Sequence, residues 1–175
     1  SLTADAFEVV TDTQIDVVLE LMGGEDTAFD LVATALEHGK HVVTANKALI
    51  ATRGNELFAK ASEAGLVVAF EAAVAGGIPV IKVLRESLSG NRIDSLAGIL
   101  NGTCNFILSE IRDQGLEYEA VLSEAQRLGY AEADAHFDVG GIDAAHKLTI
   151  LASIAFGTHL DFGAIHIEGI DQLRQ

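Results

Sequence analysis

Between Asp16 and Phe70 the chain alternates short apolar runs with longer helical patterns, and that order constrains the fold more than any other feature. Asp16 to Met22 reads DVVLELM and ends at Gly23-Gly24. An apolar run this short, closed by a glycine pair, suits a buried strand followed by a tight turn. Thr27 to His38 then places Phe29, Leu31, Val32, Ala35 and Leu36 at helical spacing, with Gly39 as the stop. His41 to Thr44 reads as a second strand, Lys47 to Ala64 as a helix closed by Gly65, and Leu66 to Phe70 as a third strand. Strand, helix, strand, helix, strand predicts an α/β fold with a parallel sheet and right-handed crossovers, the pattern of a doubly wound nucleotide-binding domain.

The second half has a different rhythm. Gly76-Gly77 marks a turn, and Pro79 fits the first turn of a helix running through Leu88. Arg92 to Leu100 reads as a strand with Asn101-Gly102 at its end. Helices are predicted over Phe106 to Arg112, over Tyr118 to Leu128 with Gly129 as the stop, and from Asp143 to about Phe156. Asp161 to Ile170 is predicted to begin another strand. A boundary falls near residue 78, between 1–78 and 79–175.

Composition narrows the function classes. The chain has 175 residues, 49% of them apolar, enough for one domain or two small ones with a real core. A net charge of −15 repels nucleic acid and anionic membranes. Cys104 is the only cysteine, so no intrachain disulfide forms, and a reducing cytoplasm is the simplest reading. The first residues carry no basic stretch and no long apolar run, so neither a signal peptide nor a membrane span is predicted.

Four stretches carry residue types suited to chemistry. Gly129 to Lys147 reads GYAEADAHFDVGGIDAAHK. Asp143 and Lys147 stand four positions apart on one helix face, with Glu132, Asp134 and Asp138 in the loop before them. Several carboxylates near one amine can orient a small polar amino acid and move a proton on it; an ordinary helix ion pair after a solvated loop fits the spacing as well. Val42 to Lys47 reads VVTANK, a strand end passing into a helix, which is where ligands sit in open α/β sheets, so Lys47 can reach a substrate hydroxyl or a phosphate. The alternative is a solvated lysine in a first helical turn. Glu71 to Pro79 offers a carboxylate and turned-in carbonyls, oxygen ligands that suit a hard cation, or else a plain hinge of small residues. Gly98 to Asn105 reads GILNGTCN, a turn able to bring backbone groups to a bound ring or substrate. Cys104 in it can be a nucleophile or simply packing. Asp134, His136, Asp138 and His146 alternate as possible divalent-metal ligands, but they lack any recognised metal spacing.

Ala125, Gly129, Tyr130, Ala131, Asp134, Asp138, Val139, Gly141, Asp143 and Lys147 fall, with fixed gaps, on a motif of the homoserine dehydrogenase family. T-A-N-K at Thr44–Lys47 and N-G-T-x-N at Asn101–Asn105 resemble the same family. One departure is Ala135, where the family usually has proline; without the fixed dihedral this loop is expected to be less rigid. The resemblance implies part of a doubly wound, Rossmann-like sheet followed by part of an α+β substrate-binding and dimerisation domain. It implies NAD(P) as cofactor and interconversion of L-homoserine and L-aspartate 4-semialdehyde, in the biosynthesis of threonine, methionine and isoleucine. Lys147, Asp143 and Lys47 then take catalytic roles. Glu132, Asp138 and Thr103 bind substrate, and Lys47, Gly23, Asn101 and Gly102 line the cofactor. Glu71, Val74, Gly76 and Ile78 match positions that hold a sodium ion, and a homodimer is implied.

The family's G-x-G-x-x-G turn has no counterpart between Ser1 and Gln175, and the family continues past Gln175. The chain therefore reads as an internal fragment, predicted to lack activity by itself. Two other readings keep the fold: a non-catalytic oligomerisation or regulatory module, and a semialdehyde dehydrogenase using Cys104.

Overall fold

The computed structural model describes residues 2–171 and 173. A short helix that the apolar periodicity did not signal, α1 (Ala6–Thr11), opens the chain, capped by Asp5, whose Oδ1 accepts from the Phe7 amide at 2.9 Å. Then follow β1 (Val17–Glu20), α2 (Asp26–Glu37), β2 (His41–Thr44), α3 (Lys47–Ala64) and β3 (Val68–Ala69). The strands form a parallel sheet in the order β1-β2-β3, with Val17 opposite His41 and Val42 opposite Val68. The predicted alternation is therefore present, with β2 at its predicted bounds and β1 and β3 shorter than the apolar runs suggested.

The sheet has one covered face. Val18, Glu20, Val42, Thr44 and Val68 are buried on the side of α2 and α3, while Val17, Leu19 and Val43 on the other side are exposed. Lys40 ties the approach to this layer. Its ammonium is buried and donates to the carbonyls of Asp12 and Ile15, which replace the hydrogen bonds it would make to water.

Past β3 comes a 3₁₀ turn, Glu71–Ala73, then α4 (Val80–Lys82), which passes directly into a π-helical turn, Val83–Ser87. Pro79 stands at the cap of α4, one residue before the first turn where it was expected. The predicted strand Arg92 to Leu100 carries no ladder, and neither does Asp161 to Ile170, which holds only a 3₁₀ turn at Phe162–Ala164. A strand exists only when a neighbour completes its hydrogen bonds, and among the described residues neither segment has one. Asn101-Gly102 is likewise no strand-end turn. Asn101 caps α5 (Gly102–Gln114), its Oδ1 accepting from the Cys104 amide at 2.8 Å. That cap starts the helix four residues before the predicted Phe106.

α6 (Tyr118–Arg127) lies on α5, and the acidic loop after it contains another short helix, α7 (His136–Val139). The last helix, α8 (Ile142–Phe156), packs on α3, and its Ile150 and Leu151 enter the same core as Leu49, Ile50 and Leu57 of α3. Beyond α8 the chain returns to α3. Asn55 exchanges two hydrogen bonds with the backbone of Leu160, and Gly54 makes room for that leucine, since a Cβ there would lie 2.6 Å from Leu160 Cδ1. Among the described residues no helix is long and apolar enough to cross a membrane.

Candidate active site

The site forms where α3 and α8 begin, so two helix starts set the positions of its lysines. At the first, Asn46 Oδ1 accepts from the Leu49 amide at 3.1 Å, and its Nδ2 reaches the Gly24 carbonyl at 2.6 Å. Behind it, Thr44 Oγ1 accepts from the Asn46 amide at 2.9 Å and donates to the buried Glu20 carboxylate at 2.5 Å. Glu20 also accepts from the Met22 amide. This relay ties the first residue of α3, Lys47, to the turn after β1. The apolar-run reading passed over Glu20; a carboxylate at an inward strand position was the signal.

At the second start, Gly140-Gly141 lets α7 turn tightly into α8. Gly141 has φ +82°, and a Cβ on it would lie 3.2 Å from the Glu168 carbonyl. A Cβ on Gly140 would lie 2.6 Å from the His136 carbonyl. Any larger residue at either place would displace the first turn of α8, and with it Asp143.

Asp143 is the hub. Its Oδ2 accepts from Lys147 Nζ at 2.6 Å and from Asn101 Nδ2 at 2.8 Å, while Oδ1 lies 3.2 Å from Lys47 Nζ. Lys147 also donates to the Leu100 carbonyl at 2.7 Å. Asn101 bridges to Asp138 Oδ1 at 2.8 Å, and Thr103 donates to the Tyr130 carbonyl at 2.6 Å with Asp138 Oδ2 at 3.4 Å. Burial by itself would raise the Asp143 carboxyl. The hydrogen bonds from Lys147 and Asn101, with the charges of Lys147 and Lys47, outweigh it and hold the pKa below its ordinary value. Two ammonium groups from different halves of the chain thus share one buried carboxylate, and each remains partly open to solvent.

Lys47, Asn101, Thr103, Asp138, Asp143 and Lys147 are therefore brought together, and Gly102 opens the helix beside them. Gly23 lies next to Gly24, exposed at the end of β1, with open space where a Cβ would be. Glu132 does not join them. It is exposed, and among the described residues its side chain makes no hydrogen bond; only its carbonyl is used, by Gln126. Glu71, Val74, Gly76 and Ile78 form a separate group. The Glu71 carboxylate accepts from the amides of Ile81 and Lys82 at 3.0 and 2.9 Å, capping α4. Ala75 between them adopts φ +51°, a strained left-handed conformation for a residue with a Cβ.

Two alternative readings find no support in the geometry. Cys104 donates to the Asp138 carbonyl at 3.2 Å, and burial together with the Asp138 and Asp143 charges pushes its thiol up to about 11. A thiol held protonated in this way is a poor nucleophile. Asp134, His136, Asp138 and His146 do not converge, and no cluster of three metal-ligating side chains occurs among the described residues. Asp134 instead caps the His136 amide, and the His146 ring lies between Phe137 and Phe162.

A parallel sheet with polar groups gathered where its strands give way to helices defines the class, an α/β fold of the Rossmann type, in which ligands sit outside the carboxyl ends of the strands. Residues 1–71 match the homoserine dehydrogenase NAD-binding domain, and residues 79–175 match the homoserine dehydrogenase domain. The chain belongs to the homoserine dehydrogenase family. It is 67% identical over 172 residues to the Pseudomonas aeruginosa homoserine dehydrogenase, covering 98% of this chain and 40% of that protein. The crystal structure of the Thiobacillus denitrificans homoserine dehydrogenase superposes with a TM-score of 0.96 at 62% identity, covering 98% of this chain and 40% of that one. A hyperthermophilic archaeal homoserine dehydrogenase in complex with NADPH superposes with a TM-score of 0.86 at 30% identity, covering 99% of this chain and 53% of that one. The chain thus spans about two fifths of the length of the curated relatives it matches.

Proposed function

We propose that this chain supplies the catalytic centre of an NAD(P)-dependent homoserine dehydrogenase, which interconverts L-homoserine and L-aspartate 4-semialdehyde. The observation that carries this reading is the pair of ammonium groups, Lys47 and Lys147, on the single buried carboxylate of Asp143. Such an arrangement keeps two ammonium groups close together while leaving N–H bonds free for a ligand.

The residues present fit one side of a dinucleotide. Open backbone at Gly23-Gly24 and the Lys47 ammonium lie where the sheet gives way to helices, and the relative in complex with NADPH shares this fold. A dinucleotide held there would supply the hydride for reduction of the aldehyde, or accept it from the alcohol. Lys147 Nζ, oriented by Asp143 and the Leu100 carbonyl, gives the forming alkoxide its proton and takes it back in the reverse direction. Lys47 balances the developing oxygen charge from the α3 side. Asp138, held by Asn101, and Thr103 orient the substrate's ammonium group. Glu132, exposed on the loop and apart from this cluster, is given no part in holding that group.

Glu71 with the carbonyls of Val74, Gly76 and Ile78 is the candidate sodium set, an all-oxygen donor group on a turn strained at Ala75. A cation there would share Glu71 with the start of α4. The enzyme is a homodimer in the cytoplasm on this reading. The single cysteine agrees with that compartment, and light scattering tests the dimer.

Lys147→Ala in the full-length protein is the test of the centre. Turnover should fall by about 10²-fold or more with little change in cofactor affinity. Near-normal turnover would remove Lys147 from the mechanism.

A further inference from the structure

His146 is the one buried polar side chain near the site without a partner among the described residues. It is 3% exposed, and its Nδ1 makes no hydrogen bond. Leaving a buried acceptor or donor unpaired is costly, so hydrogen bonding is not what holds this side chain; the contacts of its ring are. Its centroid lies 4.5 Å from that of Phe162 at 44°, and 5.4 Å from that of Phe137 at 51°, both tilted aromatic contacts. Phe137 in turn faces the Lys47 ammonium at 5.9 Å, within range for a cation–π contact. Phe162 anchors the far end of this column through the 3₁₀ turn after α8, Phe137 belongs to α7, and His146 follows Asp143 by one helical turn.

We propose that His146, clamped between Phe162 and Phe137, is a positioning residue that fixes where the Lys47 ammonium stands. The proposal rests on the two-lysine reading above and adds to it a third support. Asp143 holds Lys47 by charge, and Asn46 holds its backbone; the aromatic column holds the remaining side of the ammonium. The charged groups around the imidazole are Glu25 before α2, Lys47 on α3 and Asp143 on α8. Burial, opposed by Glu25, lowers the imidazole pKa, and Lys47 lowers it further against the pull of Asp143. A neutral ring stacks on Phe137 without repelling Lys47. A protonated one would compete with Lys47 for Asp143.

Two readouts test this in the full-length enzyme. The first needs no activity. After reductive ¹³C-methylation, the Lys47 signal, assigned by its loss in Lys47→Arg, should be shifted by the Phe137 ring current. His146→Ala and Phe137→Leu should both return it toward the position of a free lysine, and His146→Phe should retain it. The second is a double-mutant cycle. His146→Ala should lower kcat/KM about three- to ten-fold in the wild-type background and less than two-fold beside Lys47→Ala. His146→Phe, which keeps the ring and removes both nitrogens, should restore most of that loss. If His146→Ala does not fold, Phe137→Leu carries the same cycle from the exposed end of the column. Equal losses in both backgrounds, or equal losses from Phe and Ala at 146, would overturn the positioning role while leaving the two-lysine reading standing. Full activity in Lys47→Ala itself would overturn that reading, and the positioning role with it.

Discussion

Residues ahead of Pro79 bury their apolar side chains in one continuous core, whereas much of the chain from Asn101 onward gathers around a second, smaller one. The first runs from Val10 through Leu36, Leu49 and Leu57 to Phe70 and Val74, and it also takes in Ile81 and, from α8, Ile150 and Leu151. The second contains Ile107, Tyr118, Val121 and a few alanines, with Val139. Between and beyond them, Arg92 to Leu100 and the residues after α8 run without sheet partners among the described residues. The difference shows how the site is held. α8 is seated in the large core, so Asp143 and Lys147 stand on its framework. Asn101, Thr103 and Asp138 reach them from elements built around the small one.

The largest expected effect breaks this contrast if it is wrong. Leu49 and Ile107 are both fully buried, one in each core. Replacing either with alanine removes comparable apolar volume and costs about 2–5 kcal/mol. Leu49→Ala should lower amide protection in the sheet and in α8 together. Ile107→Ala should loosen α5 and α6 while β1 and β2 keep their protection. Hydrogen exchange checks this, and uniform loss from Ile107→Ala would mean that the two cores unfold as one.

Asp143 joins the halves, so its titration sharpens the comparison. Folding lowers its pKa, and the native state therefore binds that proton less readily than the unfolded chain. The resulting stability is fully present above the unfolded carboxyl range, near about pH 4, and is lost as pH falls through the lower folded value. Asp143→Asn removes this dependence. Urea melts should show the gap between wild type and variant closing on acidification; a gap independent of pH would mean that the lysines do not act through charge.

The contrast also explains what the sequence made legible. The strand and helix order from Asp16 to Phe70 was readable because each element carries its own signal: short apolar runs for the strands, helical spacing at Phe29, Val32 and Leu36 for α2, and Gly39 and Gly65 behind α2 and α3. The Asp143–Lys147 pair was readable for the same reason, being local to one helix. Lys47 reaching Asp143 depends on α3 packing against α8, which no spacing shows, and only the family resemblance pointed to it. Arg92 to Leu100 has strand-like composition, but pairing is a property of two segments, and composition describes one. Glu20 was passed over because it sits inside an apolar pattern that looked complete without it, and His146 was read only as a possible metal ligand because its aromatic neighbours, Phe137 and Phe162, come from other elements.

A smaller effect isolates the relay behind Lys47. Asn46→Ala removes the side-chain cap of α3 and the link to Gly24, at a cost of about 1 kcal/mol, with 2 as the upper end. Asn46→Ser keeps a capping oxygen and loses the donor to the Gly24 carbonyl. Thermal melts of the two variants separate these contributions. If both fall equally, the bridge to the β1 turn matters more than the cap.

The smallest effect concerns the surface of the larger core. Lys60 on α3 reaches Glu37 at the end of α2 at 2.9 Å, joining the two helices, but both side chains are well exposed. Exposed pairs of this kind gain little, because water screens the charges and two long side chains must be held in place. The packing of Leu31, Leu36, Leu49 and Leu57 beneath them carries the α2–α3 contact instead. Lys60→Met, which keeps most of the apolar stem, should therefore change stability by less than about 1 kcal/mol. The change should shrink further in high salt. Chemical denaturation in urea at low and high ionic strength measures both. A larger loss that persists in salt would mean that the helix pair depends on its rim, and that the first half is less independent of its surface than its core implies.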